Sequence, residues 1–301
     1  MAVTIKWQDN NDIETGHRIY KSPTYFTKDN LPTPLVDLGP DVQEYEDTSA
    51  NPEENWYIVS AYIIDYEVFS DPFIIRDFNF GIGSVTFVGG DFTDGYLGEV
   101  PSTDFITGDA LASAIGLTVG TSQNSNVPWW KFVIDDQVLY VPTKNFRYNI
   151  AWSDINNVNA VYNDSNAPIV TIGGYDFRVT LMTGAEADPT AWTTSSTADD
   201  NYGAGSEWNR LIYRVHDNVP TGGTETSHGG PQVGNNWDSY DINNTNIASG
   251  SGSNSWCQET SNSQSNKRIT RGGNSLYLFK AQDVDYQYSN RGWRPALRLV
   301  K

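Results

Sequence analysis

Short runs in which apolar and polar residues alternate, each ended by turn-forming residues, constrain this sequence most. In VTIKW, the side chains of Val3, Ile5 and Trp7 fall on one face at a period of two residues, and QDNND ends the run. Successive side chains of a β-strand point to opposite sides, so this period is typical of a half-buried strand. In NWYIVSAYII, Tyr57 and Val59 share one face in the same way. We therefore expect a protein built from short strands.

The composition favours the same fold class. The 301 residues include 10 Trp and 17 Tyr, and 38% of the residues are hydrophobic, which is enough for a packed core. Aromatic and β-branched side chains suit a pleated, half-buried surface better than a long amphipathic helix. We expect a mainly β fold with a few short helices.

Three segments predict short helices. TGDALASAIG offers Thr107 as N-cap and Gly116 as its end, and WSDINNVNAV offers Ser153 as N-cap. SEWNRLIYRV predicts the best helix of the chain, with Ser206 as N-cap. Its apolar stripe consists of Trp208, Leu211, Ile212 and Val215.

Two segments predict β-hairpins, because in each a pair of turn residues separates two strand-like runs. The first pair is Asp135 and Asp136, and the second is Gly173 and Gly174.

The charge restricts the partners. A net charge of −18 repels phosphate backbones and anionic lipids, and no Lys/Arg cluster compensates for it. We therefore expect neither nucleic acid binding nor membrane insertion, and no apolar run approaches the length of a membrane span. The N-terminal residues lack the features of a classical signal peptide, so we expect the chain to be assembled in a cytoplasm. The single cysteine, Cys257, allows no intrachain disulfide and is interpreted as a small core side chain.

No catalytic motif is present, so we expect no enzyme activity. The three histidines, His17, His216 and His228, stand in no HExxH pattern, and no GxSxG occurs. His17 belongs to a predicted strand, and His216 ends a predicted helix, where a cationic side chain suits the helix dipole. Only His228 lies where a ligand is expected, and a solvated loop residue is the competing interpretation.

No cofactor is expected. Calcium is considered only at DFTDG, from Asp91 to Gly95, and at Asp199 and Asp200. Neither cluster has the spacing of an EF-hand loop, and turn-forming aspartates explain both more simply.

Residues 219–255 form a long tract of Gly, Asn, Thr and Ser. A loop of this length inside a compact domain is typically either a binding loop or disordered. Large aromatic residues within it favour a binding loop, because flexible tracts seldom carry them. The candidate ligand-binding residues are His228, Asn235, Asn236, Trp237, Asp238 and Tyr240, with the two aromatic rings expected to stack on a sugar or peptide.

Residues 3–75 resemble a fibronectin type III domain. Trp7 stands where the early core tryptophan of that family would lie, HRIYKS is similar to its middle strand, and YIVSAY is similar to its YxVxA strand. The resemblance implies a small β-sandwich over residues 1–76, in which Tyr57 is the corner tyrosine whose hydroxyl bonds back to the preceding loop. Little precedes Val3, so we expect the first strand of the family to be absent and an open sheet edge to remain.

The C-terminal part resembles the C-type-lectin-like fold in its formylglycine-generating-enzyme-like branch. The matching pieces are Glu207-Trp208, Arg271-Gly272-Gly273 and Gly292-Trp293-Arg294. The resemblance implies an α+β domain over residues 129–301, with residues 77–128 as a connecting segment packed on it. It also implies that the last strand seals the core through Trp293, Leu297 and Leu299. Trp208 and Trp256 are expected to be structural residues as well. Arg271 and Arg294 are expected to pair with Glu207, Glu259 or aspartates beneath the loops. Oxidation in that branch needs two cysteines, and this chain has one.

Five segments in order, over about residues 85–301, are similar to bacteriophage tail and virion proteins with such a domain: GYLGEVPSTDFITGDALASAIGLTVGT, PWWKFVIDDQVLYVPTKNFRYNIAW, GSEWNRLIYRVH, SWCQET and GWRPALRLV. This resemblance implies a virion structural protein of a tail fibre, baseplate or surface decoration that contributes to host attachment. The expected partners are other virion proteins, a host surface glycan or protein, and further copies of the chain. The alternative is a purely architectural capsid or tail decoration protein that makes only subunit contacts.

Overall fold

The computed structural model describes residues 2–8, 16–49, 55–75, 78–190, 203, 205–217 and 237–300. The protein is mainly β, as expected, with 40% of the structure in strands and 8% in helices. The chain divides into two compact units, which we call unit 1 (Met1–Asn79) and unit 2 (Phe80–Lys301).

Unit 1 consists of two small antiparallel sheets. Its strands are β1 (Val3–Lys6), β2 (Gly16–Ser22), β3 (Pro34–Leu38), β4 (Glu44–Asp47), β5 (Asn55–Ile63), β6 (Tyr66–Phe69) and β7 (Phe73–Ile75). β1 pairs with β4, and the second sheet has the order β3-β2-β5-β6, with β7 also paired to β5. Among the described strands, β1 pairs only with β4.

The two faces of β5 pack in different clusters, which confirms the alternation predicted from the sequence. Tyr57 and Val59 belong to one core cluster together with Val3 and Ile5, and Trp7 packs against its rim. Ile58, on the other face, belongs to a separate cluster. Both faces of this strand are therefore buried, which explains its nearly continuous apolar sequence.

The hydroxyl of Tyr57 donates a 2.8 Å hydrogen bond to the carboxylate of Asp47, at the end of β4. The same carboxylate lies 2.8 Å from Nζ of Lys21 and accepts hydrogen bonds from Ser49. Burial alone would raise the pKa of Asp47, but the hydrogen bonds from Lys21, Ser49 and Tyr57 outweigh it and lower the pKa to about 2. This buried contact joins the two sheets of unit 1.

Replacing Tyr57 by phenylalanine is expected to destabilise unit 1 by about 1 to 3 kcal/mol, because a buried hydrogen bond to a charged group is lost. Chemical denaturation followed by a probe in unit 1 measures the change. Tyr45→Phe, which removes a hydroxyl from a half-buried residue of β4, is the matched control and should change stability by less than about 0.5 kcal/mol. Equal effects of the two substitutions would contradict this account.

Unit 2 contains two larger sheets. Its strands are β8 (Gly89–Gly90), β9 (Asp94–Val100), β10 (Thr121–Ser122), β11 (Trp129–Ile134), β12 (Gln137–Pro142), β13 (Arg147–Tyr148), β14 (Ile169–Ile172), β15 (Tyr175–Leu181), β16 (Asn254–Thr260), β17 (Lys267–Gly272), β18 (Phe279–Asp283), β19 (Arg291–Trp293) and β20 (Pro295–Leu299). One sheet has the order β14-β15-β20-β12-β11-β9-β8, and the other has the order β10-β13-β19-β16-β17-β18.

The last two strands lie inside these sheets rather than at their edges. β19 pairs with β13 and, in parallel, with β16, whereas β20 lies between β12 and β15. Trp293, Leu297 and Leu299 are buried, as expected for residues that close the core. Removing the C-terminal strands would therefore divide both sheets.

Residues 77–128 were expected to connect the two domains and to pack on the second. From Phe80 onward they belong to unit 2, and β9 pairs with β11 inside the larger sheet. The sequence did not show that β9 pairs with β11. The boundary between the two units falls after Asn79.

The first predicted helix and the two predicted hairpins form as expected. Helix α1 (Gly108–Ala114) begins after Thr107, whose hydroxyl accepts a 3.3 Å hydrogen bond from the N–H of Ala110, and Gly116 after its end has a φ of +74°. Asp135 and Asp136 join β11 to β12, and Gly173 and Gly174 join β14 to β15, all with positive φ.

Details of two helices were predicted wrongly. The N-cap of helix α2 (Trp152–Asn156) is Ala151, not Ser153. The carboxylate of Asp154 accepts a 2.9 Å hydrogen bond from the N–H of Ala151. The best predicted helix is a π-helical turn, Trp208–Ile212, continued by a 3-10 turn, Tyr213–Val215. The N-cap is Glu207 rather than Ser206, although the hydroxyl of Ser206 accepts a 3.3 Å hydrogen bond from the N–H of Asn209. Its predicted apolar stripe is fully buried, so packing stabilises it.

Candidate functional site

The described residues on either side of 218–236 are hydrogen bonded to each other. The N–H groups of Trp237 and Tyr240 donate to the carbonyls of Arg214 (2.6 Å) and Val215 (3.0 Å), and the N–H of Asp217 donates to the carbonyl of Tyr240 (3.2 Å). We call residues 214–217 and 237–240 the loop base. The two described ends, Asp217 and Trp237, thus lie close together in unit 2.

Trp237 is half-buried and anchors the loop base to the larger sheet. Its ring stacks on that of Tyr96 with 14° between the planes and 6.4 Å between the centroids. The guanidinium of Arg214 lies 4.8 Å from the centre of the indole. A Cβ atom on Gly89 would overlap the indole, so only glycine allows this approach of the ring to β8.

Tyr240 and Asp238 are held by side chains of β9. The ring of Tyr240 packs edge-on against Trp130, with 5.0 Å between the centroids, and its hydroxyl donates to the carboxylate of Glu99. The hydroxyl of Tyr96 donates to the carboxylate of Asp238 at 3.1 Å. Burial, and then the neighbouring acidic groups, raise the pKa of both tyrosines, so their hydroxyls stay protonated hydrogen-bond donors at neutral pH.

The predicted ligand-binding residues therefore fall into two groups. Trp237 and Tyr240 were expected to offer their rings to a ligand, but they pack against the core of unit 2. The reason is that Tyr96, Phe132 and Trp130 leave apolar surface on the sheet that these two rings cover. Asp238, the third described candidate, accepts a hydrogen bond from the hydroxyl of Tyr96 in the same contact. His228, Asn235 and Asn236 form the second group and lie outside the described residues.

An arginine and aspartate network lies beside the loop base. Nε of Arg210 is 2.7 Å from Asp94, and its terminal nitrogens bind both carboxylate oxygens of Asp135 at 2.8 and 2.7 Å. Arg214 is 3.6 Å from the second oxygen of Asp94. Burial raises the pKa of Asp94 although both arginines oppose the rise. The network ties the hairpin β11–β12 and the start of β9 to the 208–215 turns.

The first aspartate of the DFTDG segment is hydrogen bonded within its own turn. Asp91 accepts hydrogen bonds from the N–H groups of Thr93 (2.8 Å) and Asp94 (3.3 Å), as a turn residue does. Among the described residues, no group of three or more His, Cys, Asp or Glu side chains could hold a metal ion. Asp199 and Asp200 lie outside the described residues.

His216 is buried and neutral rather than the expected cation at a helix end. Its Nδ1 lies 2.7 Å from the carbonyl of Ile212 and its Nε2 lies 2.8 Å from the hydroxyl of Thr245. Because a carbonyl only accepts, Nδ1 carries the proton and Nε2 accepts from Thr245. Burial lowers the pKa of His216 to about 4. His216 therefore fixes the loop base to residue 245 and is not placed to transfer protons near neutral pH.

The buried charges pair differently from the expected arrangement. Glu207 binds Arg298, with 2.6 Å between Nη1 and Oε1, rather than Arg271 or Arg294. Arg271 donates to the carbonyl of Gly184 (2.7 Å) and to side-chain oxygens of Asn209 and Tyr213 (both 2.9 Å). The period of two in RPALR places Arg298 on the same strand face as Arg294, and this signal could have identified Arg298 as a second candidate.

Arg294 and Glu259 are both buried, but they do not pair with each other. Arg294 donates to the carbonyls of Thr143 (3.2 Å) and Thr245, and no ion pair joins it to a carboxylate of the described residues. Burial lowers its pKa to about 9. Glu259 accepts the N–H of Gly184 at 3.0 Å, and burial raises its pKa to about 8.

The predicted structural tryptophans and the cysteine are core residues. Trp208 and Trp256 are fully buried, and their indole N–H groups donate to the carbonyls of Leu276 (2.8 Å) and Ile150 (2.9 Å). Cys257 is also fully buried, and burial raises the pKa of its thiol, which keeps it protonated. Of these three, Trp208 belongs to the core cluster on which Trp237 and Tyr240 pack.

Comparisons with protein-family models, with curated proteins and with solved structures each find no match. The function is therefore inferred from the geometry of the described residues. No helix among them is long and apolar enough to cross a membrane.

Replacing Gly89 by alanine is expected to displace the indole of Trp237 from β8 while unit 2 remains folded, because the new methyl group takes the space of the ring. In a ¹H–¹⁵N spectrum, the indole N–H signal of Trp237, assigned with Trp237→Phe, should shift, whereas most other signals should stay. Gly39→Ala is the matched control, since nothing lies within 4 Å of a Cβ there. An unchanged Trp237 signal in Gly89→Ala would contradict the described packing.

Proposed function

We propose that this protein is a structural component of a bacteriophage virion that contributes to attachment to the host surface. In this proposal, unit 1 is a fibronectin type III-like module joined to the particle. Unit 2 is a C-type-lectin-like module, and residues 218–236 contact a host glycan or protein. Several copies on one particle would add avidity.

The arrangement of unit 1 supports the first part of the proposal. A two-stranded sheet faces a larger antiparallel sheet across one core cluster, as in a small sandwich. The tyrosine expected at the corner, Tyr57, does bond back to the preceding strand, although to the side chain of Asp47.

The loop base is the observation that carries the second part. A scaffold with a buried aromatic core holds both ends of the 218–236 tract by backbone hydrogen bonds, aromatic packing and the Arg210–Asp94 ion pair. Folds that separate a rigid scaffold from a variable loop allow the loop to be devoted to binding. The tract itself is rich in Gly, Asn, Thr and Ser, whose small polar side chains suit hydrogen bonding to a glycan or peptide.

Two measurements test the proposal. Antibody labelling in electron microscopy should place the chain on the virion, and an adsorption assay should show a loss of about tenfold or more for virions that carry Asn235→Ala with Asn236→Ala. Asn156→Ala with Asn157→Ala, an exposed asparagine pair at the end of α2, is the matched control and should leave adsorption unchanged. Normal adsorption of the first variant would refute attachment through the tract, and absence of label would refute the virion assignment.

A purely architectural role is the second candidate, and unit 1 carries the observation that favours it. Around the turn from β5 to β6, Ile64, Tyr66 and Val68 are exposed by 94%, 66% and 50%. Exposed apolar side chains grouped in this way are typical of contact surfaces. If Ile64→Ser with Val68→Ser prevents incorporation into particles while Asn235→Ala with Asn236→Ala has no effect on adsorption, the architectural role is the better description.

A further inference from the structure

The turn between β18 and β19 carries two exposed tyrosines that stack on each other. The ring centroids of Tyr286 and Tyr288 lie 5.7 Å apart, with 17° between the ring planes. The two side chains are 38% and 54% exposed. The exposed ring face of such a stacked pair is a flat platform that loses little conformational entropy when a ligand covers it.

A buried arginine lies directly beside this platform. The guanidinium of Arg291 is 5.6 Å from the centre of the Tyr286 ring, and the residue is only 4% exposed. Its Nη1 donates to the side chain of Asn290 at 2.9 Å, and its Nε has no hydrogen-bond partner among the described residues. No carboxylate of the described part of the chain forms an ion pair with it. A buried guanidinium keeps its charge, so the missing counter-charge is costly.

Lys280 adds a second cation on the same face of the sheet. Across the sheet, Lys280 pairs with Thr270, and Thr270 pairs with Trp256. Arg291 pairs with Asn254, which lies two residues before Trp256 on β16. Positions two residues apart share a face, so the side chains of Lys280 and Arg291 project to the same side. Burial, and then the charge of Arg291, lower the pKa of Lys280, which is consistent with this placement.

Two nearby carboxylates, those of Asp283 and Asp154, bind other groups. Asp283, at the end of β18, accepts from Asn266 at 2.8 Å and lies 3.2 Å from Nζ of Lys267. Asp154 accepts from Gln287 at 2.9 Å. A chain with a net charge of −18 thus keeps two cations beside an exposed aromatic pair without giving them these acids.

We propose that Tyr286, Tyr288, Arg291 and Lys280 form a binding site for a sugar that carries a carboxylate group. The apolar face of the sugar ring stacks on the tyrosines, and the carboxylate accepts hydrogen bonds from the guanidinium and the ammonium group. A simple inorganic anion would leave the aromatic pair unused, and a neutral sugar would leave the cations uncompensated. The site consists of described residues of unit 2 and is independent of residues 218–236 and of the proposed role in a virion.

Isothermal titration calorimetry of the full chain tests this site with three probes: tetragalacturonate, the neutral galactotetraose and polyglutamate. We expect tetragalacturonate to bind at least about tenfold more tightly than either other probe. Tyr288→Ala and Lys280→Gln should each weaken its binding by about tenfold, and salt at about 1 M should weaken it further by screening. Tyr175→Ala, an exposed tyrosine on β15 in the other sheet, is the matched control and should bind as the unchanged chain does.

Four outcomes would overturn the proposal. They are absence of tetragalacturonate binding, equal binding of galactotetraose, equal binding of polyglutamate, and an equal loss in Tyr175→Ala and Tyr288→Ala. Thermal unfolding of each variant should match that of the unchanged chain, since Tyr288 and Lys280 are not core residues. If a variant unfolds early, Tyr288→Phe, which keeps the aromatic ring, should retain tetragalacturonate binding, and its failure to bind would also count against the site.

Discussion

Replacing Glu207 by alanine is expected to destabilise unit 2 by about 3 to 5 kcal/mol. The side chain of Glu207 lies 2.6 Å from Nη1 of Arg298, and both side chains are at least nine-tenths buried. Its Oε2 also accepts the N–H of Thr183 at 2.9 Å. Removing the carboxylate leaves a guanidinium in the core of unit 2 without its counter-charge, and the arginine cannot become neutral by losing a proton.

Denaturant unfolding of the full chain, followed by a probe in unit 2, measures this loss. Asp283→Ala is the control, because its ion pair with Lys267 is partly exposed and should contribute about 0 to 1 kcal/mol. Adding Arg298→Met to Glu207→Leu should recover much of the stability, since no buried charge remains unpaired. A loss below about 1 kcal/mol in Glu207→Ala would show that Arg298 finds another partner or is hydrated.

The stability of unit 2 is expected to fall by about 2 kcal/mol between pH 6.5 and pH 8. Burial raises the pKa of Glu259 from 4.5 to about 8, so the folded chain holds a proton that the unfolded chain has released in this range. The contribution of Glu259 to the free energy of unfolding is therefore fully present below about pH 4.5. It is lost as the pH rises towards 8, at about 1.4 kcal/mol per pH unit.

His216 acts in the opposite direction at lower pH. Its pKa falls from 6.5 to about 4 on folding, so the unfolded chain binds the extra proton and stability rises with pH between these values. The two contributions cancel up to about pH 6.5, and above that pH the slope from Glu259 remains. Unfolding free energies measured at several pH values should thus show a plateau followed by a decline.

Glu259→Gln should remove the decline, because glutamine can accept the hydrogen bond from Gly184 without titrating. Glu186→Gln, at an exposed position in the same unit, is the matched control and should keep the decline. A decline of the same slope in Glu259→Gln would show that another group causes it.

The elements that the sequence predicted are those whose signals are local. The strand β5, the N-cap Thr107 and the Asp135–Asp136 hairpin depend on residues within one turn or one strand of each other. Periodicity and capping report such neighbours directly. The parts that the sequence did not predict depend on long-range partners, which periodicity does not identify.

The loop base illustrates this limit. Trp237 and Tyr240 were assigned to ligand binding because they stand in a tract of small residues, but their partners Tyr96 and Glu99 are on β9, more than a hundred residues earlier. Glu207 and Arg298 are also far apart in the sequence, 91 residues from each other. An aromatic residue in a polar tract is equally compatible with a ligand contact and with an anchor, and only the opposing surface distinguishes them.

Replacing residues 219–235 with a short Gly-Ser linker tests whether unit 2 folds independently of the tract. If unit 2 is a scaffold complete without the tract, its melting temperature should stay within about 2 °C, because shortening a loop changes its closure entropy only slightly. The amide protons of Trp237 and Tyr240 should remain protected from exchange, as their hydrogen bonds to Arg214 and Val215 require. A fall of about 10 °C, or loss of that protection, would show that the tract is part of the fold and would contradict the account.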